Sequence, residues 1–199
     1  LYLPTTDLKA WFETKPDAKF LSLDEYHGRV DEKDHKRLQE FLEQLGVRTT
    51  PQILYREISA GSLVSQHIVS QGKGKSHKYE DTFIDGCEQV IANIDESKAL
   101  LLWRVLANSV QLHRLRGRHT WFYYSTKSEF FKSTEEQRLL KAKWILNTVD
   151  ELASADAVTI QSLSDQYDTT SAGAEALIRF LGIDDEADDT SHLGEEEIR

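Results

Sequence analysis

The stretch from Ser97 to Val110 reads as one helix, and its apolar residues, Leu100, Trp103, Leu106 and Val110 among them, fall on most sides of the helical wheel. A helix of that kind has to be enclosed by other elements, so the rest of the chain must wrap a core around it. With 199 residues the chain is long enough, since a domain of this size buries roughly 70% of the surface its unfolded form exposes. No apolar run approaches the ~18 residues of a membrane span, and no signal-peptide pattern opens the chain. The single cysteine, Cys87, excludes an internal disulfide framework and any zinc site built on several thiolates. That cysteine usage points to a reducing compartment, and the expected location is cytoplasmic. Because the chain opens on Leu1 and holds no methionine, it is read as a segment of a longer polypeptide.

Net charge is -10 but unevenly spread. From Asp184 onward eight acidic residues stand against Arg199, a net of -7 that leaves -3 on residues 1–183. The expected organisation is therefore one compact region over 1–183, with sub-units at 1–50, 51–143 and 144–183, followed by an acidic, disordered tail or linker over 184–199. Phosphate affinity needs concentrated Lys and Arg, so a nucleic-acid binder using its whole surface is disfavoured, whereas a local basic patch stays open.

Periodicity supplies the elements around the central helix. Thr6 or Asp7 is expected to cap a short helix carrying Leu8, Trp11 and Phe12, and Phe20 to Tyr26 alternates as an extended segment. Asp31 can cap a helix bearing Leu38, Phe41, Leu42 and Leu45, with Gly46 at its left-handed stop. Period two from Ile53 to Ile58, a turn at Ala60 to Ser62 and a run from Leu63 to Val69 predict a hairpin. Gln71 to Tyr79 reads as a loop. Phe83, Ile84, Cys87, Val90, Ile91 and Ile94 read as a helix, and His113 to His119 as a basic turn around Gly117 before a strand at Trp121 to Tyr124. Ser133 to Glu136 is a capping-box start for a helix with Leu139 and Leu140. Trp144 to Leu146 and Val158 to Ile160 are expected strands, and a last helix runs from Ser171 to Gly182. The fold class is α+β, helix-dominated, with short strands and a hairpin. Tyr26 followed by Phe41 to Val47 echoes Tyr167 followed by Leu177 to Ile183. Weak internal duplication of a strand-helix unit and convergent helix-stop chemistry both account for that echo.

Motifs for chemistry fail on spacing. Gly74-Lys75-Ser76 needs a glycine where Val69 stands to make a phosphate loop. The seven histidines show no HxH or HExxH spacing, and Cys87 falls on an apolar helix face, where a thiol acts as a small hydrophobe. Ser62 lacks the second glycine of a nucleophile turn. Acidic pairs such as Glu135-Glu136 are ordinary at helix starts. One constellation remains, Arg114, Arg116, Arg118 and His119 followed by Trp121 and Tyr123. Arginine forks and aromatic faces suit a nucleic acid, a protein partner, or plain structure in which the arginines are solvated and the aromatics packed.

The ordered set of Leu3-Pro-Thr-Thr-Asp-Leu8, Phe20 to Tyr26, Glu40 to Val47, Phe83 to Gly86, Leu102-Trp103, Trp121 to Tyr124, Lys143 to Asn147, Val158 to Ile160 and Ala174 to Gly182 resembles segments of very large bacterial proteins. Those proteins carry an amino-terminal sacsin-like ATP-binding domain of the gyrase and histidine-kinase (GHKL) type. The resemblance covers about residues 2–183. Asp150 and Ala155 depart from it, standing where glycine and proline are expected. It implies a region downstream of the ATPase domain, and the residues agree, because Glu88 and Asn93 are one residue too far apart for the GHKL helix motif and Asp85-Gly86-Cys87-Glu88 lacks the second loop glycine.

The resulting expectation is a non-catalytic spacer and interaction segment with no cofactor and no metal. Its partners would be other domains of the same polypeptide or another protein, with no membrane contact. The alternative is a nucleic-acid-contacting module using residues 113–124, and an independent enzyme comes third. Accordingly the chain is expected neither to bind nor to hydrolyse ATP. Calorimetry with Mg-ATP checks this, and micromolar binding abolished by Lys75→Ala would overturn it.

Overall fold

The computed structural model describes residues 1–23, 34–58, 76–123 and 125–183, the side chains of His35, Ser76, His77, Ser109, His119 and residues 121–126 being left aside. The chain order is α1 (Thr6–Trp11), α2 (His35–Gln44), β1 (Ile53–Ile58), β2 (Ser76–Ile84), α3 (Cys87–Ala92), α4 (Glu96–Ser109), β3 (Gly117–Tyr123), β4 (Ser125–Phe131), α5 (Thr134–Lys141), β5 (Ile145–Leu146), β6 (Leu152–Ala153) and α6 (Ala172–Leu181). Strands β1 to β4 form an antiparallel sheet in sequence order, and β5 pairs with β6. The fold is α+β, with more helix than strand.

Helix α4 is the centre of the core, as its all-round apolar sequence requires. Asp95 caps it by accepting from the Lys98 N–H at 2.8 Å, and Ala99, Leu101, Leu102, Trp103, Val105 and Leu106 are all buried. Each large side chain among them contributes about 1.5–3 kcal/mol relative to exposure. On one flank α1 supplies Leu8, Trp11 and Phe12. On another, α6 lies so close that Gly173 meets the Ala107 carbonyl where a Cβ would stand, and Trp103 stacks on Tyr167 with centroids 4.3 Å apart. Trp103 also donates to the Asp168 carbonyl at 2.9 Å, and the Tyr167 hydroxyl accepts from the Leu146 N–H at 2.9 Å, so the third side is closed by β5. The amino terminus joins through Asp85, which accepts from the Tyr2 hydroxyl at 2.7 Å and pairs with Lys15, while its carbonyl accepts from the Trp11 indole at 2.8 Å.

Several boundaries differ from the sequence reading. Thr5, not Thr6 or Asp7, caps α1, because its hydroxyl reaches the Leu8 N–H. Residues 76–79 are strand rather than loop, and Phe83 and Ile84 close that strand before α3 begins at Cys87. Long-range pairing of these residues with β3 overrode a locally polar pattern. Gly117 opens β3 instead of centring a turn, β4 was not foreseen, and residues 158–160 lead into a short 3-10 turn at Ile160–Ser162 instead of forming a strand. The second arm of the expected hairpin, residues 63–69, lies outside the described residues, as do Tyr26, Asp31, Lys75 and the acidic tail. The described partner of β1 is β2. On α2, Leu42 is buried but Phe41 and Leu45 are 54% and 66% exposed, so that helix uses only part of its apolar stripe.

Both glycine stops hold. Gly46 (φ 88°) and Gly182 (φ 69°) are left-handed. Val47 N–H bonds to the Leu42 carbonyl and Gly46 N–H to that of Glu43, and Ile183 and Gly182 repeat the pattern onto Ile178 and Arg179. This closure is what any glycine-ended helix adopts. Nothing lies within 4 Å of a Cβ added at either site, so Gly46→Ala or Gly182→Ala carries the conformational penalty alone, about 1 kcal/mol. A lowered midpoint in denaturant titration checks each variant.

Candidate interaction surface

The sheet is fastened to α5 by carboxylates that reach across in both directions. Asp81 on β2 is 1% exposed, and its Oδ1 accepts from the Thr134 N–H at the start of α5 at 2.8 Å. In return Glu135 of α5, fully buried, accepts from the Ile84 N–H of β2 at 2.9 Å. Each carboxylate has a guanidinium beside it, Arg56 at 3.2 Å from Asp81 and Arg138 at 3.1 Å from Glu135. Ser133 caps α5 as the sequence indicates, accepting from the Glu136 N–H at 3.1 Å. Cys87 is buried in the same region, and its burial, reinforced by the Glu135 charge, pushes its thiol well up, which leaves it an apolar filler.

From this anchored end the sheet runs outward. On β4 the residues Lys127 to Phe130 are exposed on both alternations, Phe130 at 67%. Over residues 127–130 β4 therefore presents both of its faces and, among the described residues, an edge with no strand beside it. The pleat of the sheet is charged in an ordered way. Arg118 stands in register between Glu80 and Phe130 and pairs with Glu80, which also takes Lys78 at 3.1 Å, and Lys78 lies 3.7 Å from Glu57. The two cations hold the Glu80 carboxyl below its usual range.

The arginines singled out in the sequence have different partners. Arg114, in the short 3-10 turn after α4, donates to the Tyr55 hydroxyl of β1 at 3.2 Å and to Gln111 at 3.3 Å. Arg116 is exposed just before β3, and its charge acts on Glu136. Arg118 belongs to the ion ladder on the sheet. The backbones of His119, Trp121 and Tyr123 lie on β3, while their side chains fall outside the described residues. A second cationic feature, missed in the sequence, is a cleft of about 560 Å³ where Arg56, Lys132, Arg138 and Lys141 surround the end of β4 and α5. Its cations come from β1, from the residue after β4 and from α5, so only the packed sheet assembles them. Its two arginines are the partners of Asp81 and Glu135. Among the described residues no three His, Cys, Asp or Glu side chains converge as a metal site. Comparison with known protein families, curated proteins and solved structures finds no match to this chain.

Glu136 is the polar group in this region that burial leaves unserved. It is 8% exposed and its Oε2 is buried without a hydrogen-bond partner. Burial pushes its carboxyl up, against the pull of Lys132, Arg116 and the Ser133 amide. A raised carboxyl favours the folded state below its ordinary pKa, and that benefit is lost as pH rises through the folded value. Relative to Glu136→Gln, the native protein should therefore lose stability between about pH 4 and about pH 7. Urea midpoints of both proteins at the two pH values check this, and parallel pH dependence would contradict it.

Proposed function

We propose that this chain is a non-catalytic spacer and interaction segment of a large bacterial polypeptide of the sacsin-like GHKL-ATPase type, working in the cytoplasm. Its contacts would be with other domains of that polypeptide or with a protein partner. The observation that carries the reading is the placement of the arginines. Arg114 and Arg118 already serve internal partners, Tyr55 and Glu80, and the Arg116 charge acts on Glu136, so part of the cationic charge of the stretch is answered within the chain. What the anchored sheet offers outward is β4, exposed on both faces over residues 127–130, with mixed charge and an exposed aromatic, which suits a protein contact better than a polyanion.

Support for the parentage comes from the resemblance and from one backbone angle. Asp150, which stands where the family pattern has glycine, adopts φ 58°, the conformation that glycine takes most readily. Asn147 holds that turn by accepting from the Val149 and Glu151 N–H groups at 3.0 and 2.9 Å. The backbone angle at Asp150 is thus compatible with the glycine of that pattern.

The nucleic-acid alternative uses residues 113–124, where Arg114, Arg116 and Arg118 are all exposed. Titration of short single- and double-stranded DNA against salt separates the two readings. Little binding at physiological salt is expected, both for the whole chain and for a form lacking residues 184–199, whose net charge is -3. Salt-sensitive binding tighter than about 1 μM in the shortened form, lost on changing Arg114, Arg116 and Arg118 to Ala, would favour the alternative.

A further inference from the structure

We infer that β4 is a self-complementary edge through which two copies of this chain pair antiparallel about Ser128. The strand spans Ser125–Phe131, so Ser128 is its midpoint, and among the described residues it is the outermost strand of the sheet. Antiparallel pairing of the whole strand with a second copy sets Ser128 opposite Ser128, Lys127 opposite Glu129 of the other copy, and Glu129 opposite its Lys127. Both charges are exposed, and both lie on the pleat opposite to Phe130. Two cross-strand ion pairs then form from a single sequence, which is the signature of an isologous contact.

The same charges exclude the neighbouring arrangements. A parallel in-register copy puts Lys127 on Lys127 and Glu129 on Glu129. An antiparallel copy slipped by two residues opposes either two lysines or two glutamates. A slip of one residue breaks both ion pairs. Edge strands commonly carry lysine to discourage pairing, but here the lysine is answered by a glutamate two positions on, so only the centred antiparallel copy is welcomed.

The ladder is pre-set for a partner. Thr120 and Ser128 share a hydrogen bond at 3.0 Å between β3 and β4, and the sheet's inner end is held by Asp81 and Glu135. The strand therefore arrives ordered, which lowers the entropic cost of adding a strand beside it. Phe130, 67% exposed, would lie across from Thr126 of the second copy and lose part of that exposure. One strand pair buries well under the ~1,600 Å² of a standard interface, so the expected dimer is weak, with a dissociation constant on the order of 100 μM. This inference does not depend on the proposed parentage.

Sedimentation velocity of the whole chain from about 10 μM to about 1 mM tests it across the expected constant. A reversible monomer-dimer equilibrium that weakens with salt is expected. Lys127→Glu or Glu129→Lys alone should raise the dissociation constant about tenfold or more, and the two together should restore it, because the pairs are then reversed but intact. Both positions are exposed, and circular dichroism checks that each variant keeps the fold. Ser128→Cys should oxidise to a covalent dimer while Lys127→Cys does not, since only residue 128 meets itself and Cys87 is buried. A chain monomeric throughout this range overturns the inference. So does a dimer indifferent to the single charge changes, which would place the contact elsewhere. Neither outcome bears on DNA binding, so this test and that of the proposed function fail separately.

Discussion

The reciprocal fastening of β2 to α5 is the constraint on which the rest of the sheet depends. Two carboxylates are removed from water, Asp81 at 1% exposure and Glu135 at none, and each is tolerable only because it accepts from a backbone N–H of the other element and has an arginine beside it. Removing Arg138 would leave the buried Glu135 without its cation, a loss of about 3–5 kcal/mol when a buried pair is broken this way, whereas Arg56 is largely exposed and solvent screens its part. The geometry is directional as well. Apolar packing alone would let α5 slide along the sheet, whereas two crossed hydrogen bonds to named amides set its register.

That register determines what the protein shows to its surroundings. With the inner end of the sheet seated against α5, the outer end of β3 and β4 extends from it, and the charged residues there arrange themselves by pleat and pairing. Glu80 gathers Lys78 and Arg118, and Arg114 turns to Tyr55. A stretch that is rich in arginine along the sequence therefore becomes a surface of mixed charge once strands lie side by side. The reverse happens at the cleft between β4 and α5, where cations far apart in sequence meet.

Much of the helical framework was legible beforehand. The apolar wheel of α4 demanded enclosure, Ser133 and Ser171 announced helix starts, and Gly46 and Gly182 announced helix stops, because each of these signals acts within a few residues. Strand β2 was not legible in its first half, since Ser76-His-Lys-Tyr79 is polar and its extended conformation comes from pairing with β3, 40 or more residues on. Nor was β4, whose Ser-Thr-Lys-Ser-Glu run is polar throughout and carries no apolar alternation to give it a period. Glu135 looked like any acidic residue in a first turn. Its distinguishing property, complete burial against the Ile84 amide, has no signature in a single sequence.

The sequence by itself determined the class of fold, the central helix, the caps and stops, and the absence of a span long and apolar enough for a membrane helix, a feature that the described helices also lack. These follow from side-chain periodicity and from backbone preferences that operate over one or two turns. Only the tertiary structure decided which polar residues enter the interior, which arginines are answered by carboxylates, and which strand is left at the edge. Those outcomes depend on hydrogen bonds and charges between residues such as Asp81 and Thr134, 53 positions apart, whose meeting no local propensity encodes.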